Sequence, residues 1–588
     1  MVASCSPRNT ETDTEAHLAA GFCAATGTYS SSHPPLAAAT AASFPEYLFP
    51  RLLTFPLDRP AFVDATTGAT LSFADLRARS LKVATALSAL GLRRGHVALL
   101  LAPTSLHFPV VSLGVLALGA VLSTANPLLT PHELADQARD SEPFLVLTTA
   151  ELAPKLSSLT ASPVVVLIDE LLTGIDGHDT WAYTSDDISR DDPALLFYSS
   201  GTTGRSKGVV STHGNVIAAA AFLRRVWRRG DGDDDDGVDV YGCVLPMFHM
   251  FGFSAFVLGT PAIGATAVLV PGRFSVDRLM AAMEEHRVTR LLAVPPMVVQ
   301  MAKVAAGEPS STSTRRLCLR EVVSSGAPLQ REHMARFRSC FPRVNIVQCY
   351  GLTESTGIVT MCDLPQLLHE HGNDDGVECS NEPPTISIGR LVPSTEARIV
   401  DVESREALPP NHVGELWIRG PSVMQGYLRS KEATAAALVT TDAEDGGGRW
   451  LRTGDLCYFE SGGLIHVVDR IKELIKYKAY QVAPAELEDV LAVHPDIHDA
   501  AVAPYPDEEA GEIPVALVVK KPGSKRLQAQ DVLSFVQSKV APYKEVRKVV
   551  FVDSIARSPS GKILRAQLKS FLLACEMHGA ELQCTTRV

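Results

Sequence analysis

The sequence predicts an α/β chain: a large N-terminal domain of stacked parallel sheets with helices, plus a smaller α+β C-terminal domain. Three observations carry that expectation. Strand-like apolar runs alternate with helical patterns from about residue 60 onward, as in parallel sheets covered by helices. The pattern changes near residue 470, where the charged break Asp469-Arg470-Ile471-Lys472-Glu473 follows the strand-like run Leu464 to Val468. The chain has 588 residues, too many for one ordinary core and enough for two or three domains.

Residues 1–45 are rich in Ala, Ser and Thr and read as a disordered or extended segment. They carry Glu11, Asp13 and Glu15 and no basic-then-apolar start, which argues against a secretory or organelle leader. The large domain is expected over residues 46–468. Its strand candidates include Val97 to Leu101, Phe144 to Leu147, Val164 to Leu167 and Ala267 to Val270; its helix candidates include Leu76 to Ala89 and Val276 to Glu285. Two uncharged stretches, Val97 to Pro131 and Pro246 to Gly272, are broken by Pro and Gly, so they read as buried core segments rather than membrane spans. The acidic or Gly/Ser-rich runs Gly230 to Gly237, Gly307 to Arg316 and Ala443 to Gly448 read as surface insertions. The small domain is expected over residues 469–588, with helices at Ala485 to Val493 and Asp531 to Val540 and strands at Val515 to Val519 and Val549 to Val552.

The composition, 46% hydrophobic and 20% charged, is that of a globular chain. A net charge of −12 argues against a nucleic-acid or anionic-membrane partner, so an anionic substrate needs a local cluster of cations and N–H groups. The 11 cysteines form no CxxC pair, which argues against a zinc ribbon or disulfide framework and for a reducing compartment. The terminal Thr586-Arg587-Val588 is not Ser-Lys-Leu but shares its small–basic–aliphatic shape. The expected address is cytoplasmic, with the peroxisome as the alternative.

The strongest local signal is Ser199-Ser200-Gly201-Thr202-Thr203-Gly204-Arg205-Ser206-Lys207-Gly208, after the strand-like run Ala194 to Tyr198. Glycines let the backbone curl and present N–H groups, hydroxyls add donors, and Lys207 adds positive charge: the chemistry that holds a triphosphate. The spacing of Gly204 and Lys207 does not fit the Walker pattern. Gly204-Arg205-Ser206-Lys207-Gly208 formally matches G-x-S-x-G, but five Ser/Gly/Thr residues separate it from Tyr198, which a nucleophile elbow does not allow.

The string Ser199 to Lys207 resembles the AMP-binding signature of the adenylate-forming superfamily. Further resemblances follow in that superfamily's order: Leu245-Pro246-Met247-Phe248-His249-Met250-Phe251, Gln348-Cys349-Tyr350-Gly351-Leu352-Thr353-Glu354, Thr453-Gly454-Asp455, the hinge-like Asp469 to Lys476, and the loop Ser558-Pro559-Ser560-Gly561-Lys562. The resemblance covers about residues 45 to 570 and is nearest to the plant 4-coumarate–CoA ligase-like branch.

That resemblance implies ATP-dependent acyl-adenylate formation followed by thioester formation with coenzyme A, with Mg²⁺ required and a carboxylic acid as substrate. It implies that Ser199, Ser200, Gly201, Thr202, Thr203 and Lys207 hold phosphates, that Gln348, Cys349, Tyr350, Gly351 and Leu352 flank the adenine, and that Thr353 meets the α-phosphate. Glu354 would hold Mg²⁺, a hard cation suited to a carboxylate with phosphate oxygens. Asp455 would accept from the ribose hydroxyls, with Arg470 beside it. Lys562, on a loop whose composition reads as mobile, would bridge carboxylate and α-phosphate. Lys476 would stabilise charge in the adenylate, Gln481 would face it, and Lys472 would sit at a hinge about which the small domain rotates. His249 would line the acyl pocket or gate the site and is counted with Lys562 and Lys476 as a catalytic candidate; Phe251 and Gly326 would shape the acyl pocket; Arg273, Lys478 and Ala479 would meet coenzyme A.

Some positions depart from the pattern. Phe251 stands where 4-coumarate ligases carry Tyr, removing a partner for a phenol oxygen. Thr353-Glu354-Ser355-Thr356-Gly357 replaces TEAGP. Both features resemble the ligase-like branch and favour an aliphatic or mixed hydrophobic acid, such as a fatty acid or an oxylipin precursor, with a hydroxycinnamate as the remaining candidate. Cys349 and Ala479 replace glycines, which costs strain wherever the backbone needs a positive φ or a close approach. Three other readings stand beside this one: a stand-alone adenylation enzyme with another acceptor, a luciferase-type oxygenase, and a degenerate binding protein.

Overall fold

The structure, a computed structural model, describes residues 21–159, 163–175, 188–199, 206–227, 239–307, 317–362, 387–441, 448–477, 480–507, 510–558 and 561–577, leaving out single positions 38, 57, 328, 330, 525 and 541.

The first sheet runs in the order Gly426–Tyr427, Lys207–Thr212, Pro193–Ser199, Val121–Ala125, Val97–Leu101, Leu145–Thr148, Val164–Leu167. From Pro193–Ser199 outward its strands are parallel. The second orders Asn345–Leu352, Glu321–Ser324, Arg290–Ala293, Val240–Cys243, Thr266–Leu269 and Pro60–Asp64 in parallel, with antiparallel strands at each edge. Most of these strands, Val97–Leu101 and Leu145–Thr148 among them, are buried on both faces, which is why they read as unbroken apolar runs, whereas the edge strand Val164–Leu167 leaves Val164 and Val165 exposed. Ala98 and Leu100 face the main core shared by the two sheets, whereas Leu99 and Leu101 face Leu134 and Ala138 of the helix Pro131–Ser141.

The helix His107–Ala117 is apolar all round and its side chains are almost wholly buried, as expected of a helix enclosed by protein. It accounts for the uncharged stretch after Val97. Among the described residues no helix is long and apolar enough to cross a membrane. The surface insertions expected from composition lie almost wholly outside the described residues.

Beside these two sheets stands a third, all antiparallel, which the expectation of stacked parallel sheets did not contain. Its strands carry alternating rather than continuous apolar patterns, a weaker signal. Part of the N-terminal segment set apart in the sequence contributes to it: Phe22–Cys23 and Thr28–Ser30 form a hairpin that pairs with Glu396–Val400, and Tyr29 stacks on Phe459 at 3.7 Å.

The strand Ile465–Arg470 belongs to this third sheet and pairs Arg470 with Asp455, so Asp469 and Arg470 stay with the large unit rather than opening the small one. After the turn Ile471–Glu473 the chain enters a five-stranded sheet containing Ile475–Tyr477, Tyr480–Val482, Ile497–Asp507, Gly511–Lys520 and Lys548–Phe551. Its two faces carry separate cores, one around Leu487 and Val532, the other around Leu568 and Leu572.

Candidate active site

Strand ends define the site. In parallel sheets, ligand-handling residues gather where strands finish at their carboxyl ends. Ser199 ends Pro193–Ser199, the turn from Pro246 to Phe251 follows Val240–Cys243, Gly326 follows Glu321–Ser324, and Thr353-Glu354 follows Asn345–Leu352.

The Ser/Gly/Thr string is the connection of a β-hairpin. Lys207–Thr212 returns antiparallel to Pro193–Ser199, with Lys207 opposite Ser199. A strand after the loop, rather than a helix, separates it from both the Walker loop and the nucleophile elbow. Ser200, Gly201, Thr202 and Thr203 lie outside the described residues. The Ser199 hydroxyl donates to Glu354 Oε1 at 2.9 Å, and the Tyr427 hydroxyl donates to the same oxygen at 3.0 Å. The Lys207 ammonium lies 5.1 Å from the centroid of the Tyr427 ring.

The turn bearing Glu354 is fixed from within. Ser355 Oγ accepts from Leu352 N at 2.9 Å and donates to Gly357 O at 2.7 Å. Thr356 adopts φ of 54°, uncommon for a β-branched residue, and pairs with Ser211 at 2.8 Å. Gly351 is required by close approach: a Cβ there would lie 2.1 Å from Gly357 O. Gln348 is buried and ties connecting segments together, accepting from Leu329 N at 2.8 Å and donating to Ser387 O at 3.4 Å.

Cys349 does not carry the strain expected of a replaced glycine. It sits in an extended strand opposite Met361, is absent from the positive-φ positions, and buries its thiol, pushing the pKa up to about 12.

Asp455 is presented by a break in register. Glu415 pairs with Leu456 and Trp417 with Arg452, so residues 453–455 bulge out opposite Leu416. Asp455 is buried; Tyr350 donates its hydroxyl to Oδ2 at 2.6 Å and Arg470 Nε lies 2.9 Å from Oδ1. Asp455 holds the Arg470 pKa above its usual value, and burial, then Asp455, raise that of Tyr350. Glu354 adds, more weakly, to the charge that raises the Arg470 pKa.

Lys562 arrives here from the small sheet. The residues that flank its loop are tied together: Ser558 N donates to Lys562 O at 2.8 Å, and Arg557 donates to Gly561 O at 3.1 Å while pairing with Asp499 at 2.8 Å. The described part of this loop is thus tied at both ends, though its composition reads as mobile. Gly561 has φ of 80°, and a Cβ on it would lie 2.6 Å from Pro296 Cδ of the large unit. Lys562 Nζ is 3.7 Å from Glu473, which Arg565 holds at 2.7 Å. Burial, then the Arg470 guanidinium, push the Lys562 pKa below the usual ammonium value. Burial works to raise the Glu473 pKa, but Arg565 and Lys562 outweigh it and hold it below the usual range. Glu473 lies inside the charged string Asp469 to Glu473 and Arg565 three residues past Lys562, yet nothing in the sequence marked them as partners.

On the other side of the site, His249 caps the short helix Met250–Phe253, its Nδ1 accepting from Phe251 N at 3.4 Å. Thr104 and Thr124, just past or within strands of the first sheet, hold this turn through Met247 N at 3.0 Å and Phe248 O at 2.7 Å. The His249 ring is open to solvent but ringed by protein, and that desolvation lowers its pKa. Phe251 is half-buried against the main core. Gly326 is exposed with φ of 85°.

Arg273 is exposed in the loop after Thr266–Leu269 and makes no hydrogen bond or ion pair among the described residues. Lys472 lies in the turn Ile471–Glu473, and Lys476 is paired in register with Gln481. The side chains of these three, together with Lys478 and Ala479 entirely, lie outside the described residues.

A β-hairpin that carries Lys207, a bulged aspartate held by an arginine and a tyrosine, and a lysine delivered by a small α+β unit are features that suit an ATP-using, acid-activating enzyme. The comparisons agree. The AMP-binding enzyme family matches residues 50–428, and the AMP-binding enzyme C-terminal domain matches residues 486–562. A rice protein named for its likeness, 4-coumarate–CoA ligase-like 8, is 63% identical over 97% of this chain and 100% of its own length. The peroxisomal OPC-8:0-CoA ligase 1 of Arabidopsis thaliana is 44% identical over 87% of this chain and 90% of its own. The crystal structure of ATP-bound MatB from Rhodopseudomonas palustris superposes with a TM-score of 0.76 at 26% identity, covering 89% of this chain and 98% of that one. The chain belongs to the AMP-binding enzyme family, in its plant 4-coumarate–CoA ligase-like branch, and is an acid–thiol ligase.

Proposed function

We propose that this chain is an ATP-dependent carboxylate–CoA ligase acting on a hydrophobic acid. The observation that carries the reading is Lys562 of the small unit, 3.7 Å from Glu473, which lies three residues past the Arg470 that pairs with Asp455 at 2.9 Å.

In the first half-reaction a carboxylate oxygen attacks the α-phosphorus, the bond to the β-phosphate oxygen breaks, and pyrophosphate leaves. Two anions must meet, and the Lys562 ammonium offsets their repulsion as charge develops on the transferring phosphorus. Glu473, 3.7 Å away, favours the ammonium form against the burial that opposes it. Asp455, already held by Tyr350 and Arg470, is a fixed acceptor for sugar hydroxyls. Lys207 and the loop from Ser199 to Thr203 would hold the outgoing phosphates, and Thr353 the α-phosphate.

Glu354 suits magnesium. Its Oε1 takes two hydroxyl donors, Oε2 takes no hydrogen bond among the described residues, and no cluster of three or more metal-ligating side chains occurs among them. One carboxylate with phosphate oxygens fits an ion that arrives with its nucleotide. Bound there, magnesium would neutralise phosphate charge.

In the second half-reaction the coenzyme A thiolate attacks the acyl carbonyl carbon and AMP leaves. Lys476, Gln481, Lys478, Ala479 and Arg273 are assigned to this step, with Lys472 as pivot. The half-buried Phe251 offers the acyl group a surface without a hydroxyl, which favours a fatty acid or an oxylipin precursor over a hydroxycinnamate. The compartment is proposed as the cytoplasm or the peroxisome, an address borne by one relative's name.

The test is ATP–pyrophosphate exchange across a panel of such acids, followed by thioester formation with coenzyme A. Acid-dependent exchange and a thioester are expected. No exchange with any acid would overturn adenylation; exchange with no thioester would move the chain to another acceptor.

A further inference from the structure

Gly426–Tyr427 is a two-residue strand with a large share of the site's internal connections. It pairs with the return strand of the phosphate hairpin, Tyr427 opposite Val209 and Gly426 opposite Val210. The contact continues on either side: Gln425 N donates to Val210 O at 2.8 Å and Leu428 N to Gly208 O at 2.7 Å. One residue earlier, Met424 N donates to Glu354 O at 2.8 Å. The segment 424–428 therefore stitches the hairpin carrying Lys207 to the turn carrying Glu354. From behind, Thr434 Oγ1 accepts from Tyr427 N at 2.9 Å and fixes the strand against the helix Lys431–Ala437.

The Tyr427 side chain repeats this bridge. Its hydroxyl donates to Glu354 Oε1 at 3.0 Å, and its ring lies 5.1 Å from the Lys207 ammonium. An ammonium and a carboxylate this close to a common residue would, left alone, pair with one another and neutralise the charge each is needed to supply. The ring face gives the ammonium a different seat, and the hydroxyl occupies one carboxylate oxygen.

We propose that Tyr427 is a positioning residue for the metal–phosphate half of the site, its hydroxyl orienting Glu354 and its ring holding Lys207 for phosphate. This rests on the assignment of Glu354 to magnesium, and the test separates the two. The probe is α,β-methylene-ATP, whose binding is measured by calorimetry with and without Mg²⁺, beside a thermal melt of each variant.

Tyr427→Phe keeps the ring and removes the hydroxyl. It is expected to bind metal-free analogue within about twofold of wild type and to lose about three- to tenfold of the gain that Mg²⁺ brings. Tyr427→Leu removes both contacts and is expected to weaken metal-free binding as well, by about three- to fivefold. Glu354→Ala is the control. If Glu354→Ala abolishes the Mg²⁺ gain while Tyr427→Phe keeps it whole, the role of Tyr427 falls and the magnesium assignment stands. If Glu354→Ala leaves the gain intact, both fall. If Tyr427→Phe weakens metal-free and metal-loaded binding equally, the hydroxyl is merely structural and the proposal is overturned.

Discussion

Burial and the Arg470 guanidinium both work against the charge on Lys562, while Glu473 at 3.7 Å supports it. A residue held in that balance is suited to meeting two anionic groups, because their arrival restores the charge its surroundings oppose. Lys562→Ala is expected to slow ATP–pyrophosphate exchange by about a hundredfold or more. Conversion of chemically prepared acyl-adenylate to thioester should stay within about threefold of wild type. Equal losses in both assays would show that Lys562 serves the fold rather than the first half-reaction. Much at this scale was legible, since Lys562, Asp455, Arg470 and Glu354 each stood in a recognisable string. Tyr427 was not, because its role comes from a strand pairing and a ring face that no local spacing encodes. The concern over Cys349 eased for a similar reason: whether a replaced glycine needs a positive φ is set by the fold, and Cys349 sits in an extended strand.

Between residues and molecule, the hairpin of Pro193–Ser199 and Lys207–Thr212 and the turn after Asn345–Leu352 form one unit through the edge strand Gly426–Tyr427. The turn depends on a strand pair without room for a side chain. Gly351→Ala places a methyl 2.1 Å from Gly357 O, a backbone atom that cannot swing aside. We expect a loss of about 2 kcal/mol or more, read as a lowered melting temperature, together with weakened ATP binding. A variant with wild-type melting would mean that the pair opens freely. The parallel strands were legible because burial on both faces writes a continuous apolar run, as at Val97–Leu101. The antiparallel sheet was not, because its strands alternate and its first hairpin lies in an Ala/Ser/Thr-rich stretch whose partner, Glu396–Val400, is more than 360 residues away.

Across the whole molecule, the link between large and small units is built on Asp469. Its carboxylate accepts from Arg470 N at 2.7 Å and from Ala485 N at 3.1 Å, the latter at the start of the helix Pro484–Ala492. Burial raises its pKa to about 6. A folded-state pKa above the unfolded one makes the charged form the costly one. That cost is present in full above about pH 6 and is relieved as pH falls toward the unfolded value, because the folded protein takes up the proton first. Relative to Asp469→Asn, wild type is therefore expected to gain about 2 kcal/mol of stability between about pH 7 and about pH 4.5. Calorimetric melts of both proteins across that range would read it, and a difference that does not change with pH would refute it. The charged string from Asp469 to Glu473 announced a junction, but the sheet to which Asp469 and Arg470 belong was set by pairing with Asp455 and Leu456, which the string does not contain. The distance along the chain between the Asp455–Arg470 pair and Lys562 has a consequence during synthesis. Translation proceeds at about 5–20 residues per second. The roughly ninety residues separating Arg470 from Lys562 therefore take about 5–20 seconds to add. In each round there is thus an interval in which the nascent protein already holds the Asp455–Arg470 pair and has yet to gain the lysine proposed to work beside it.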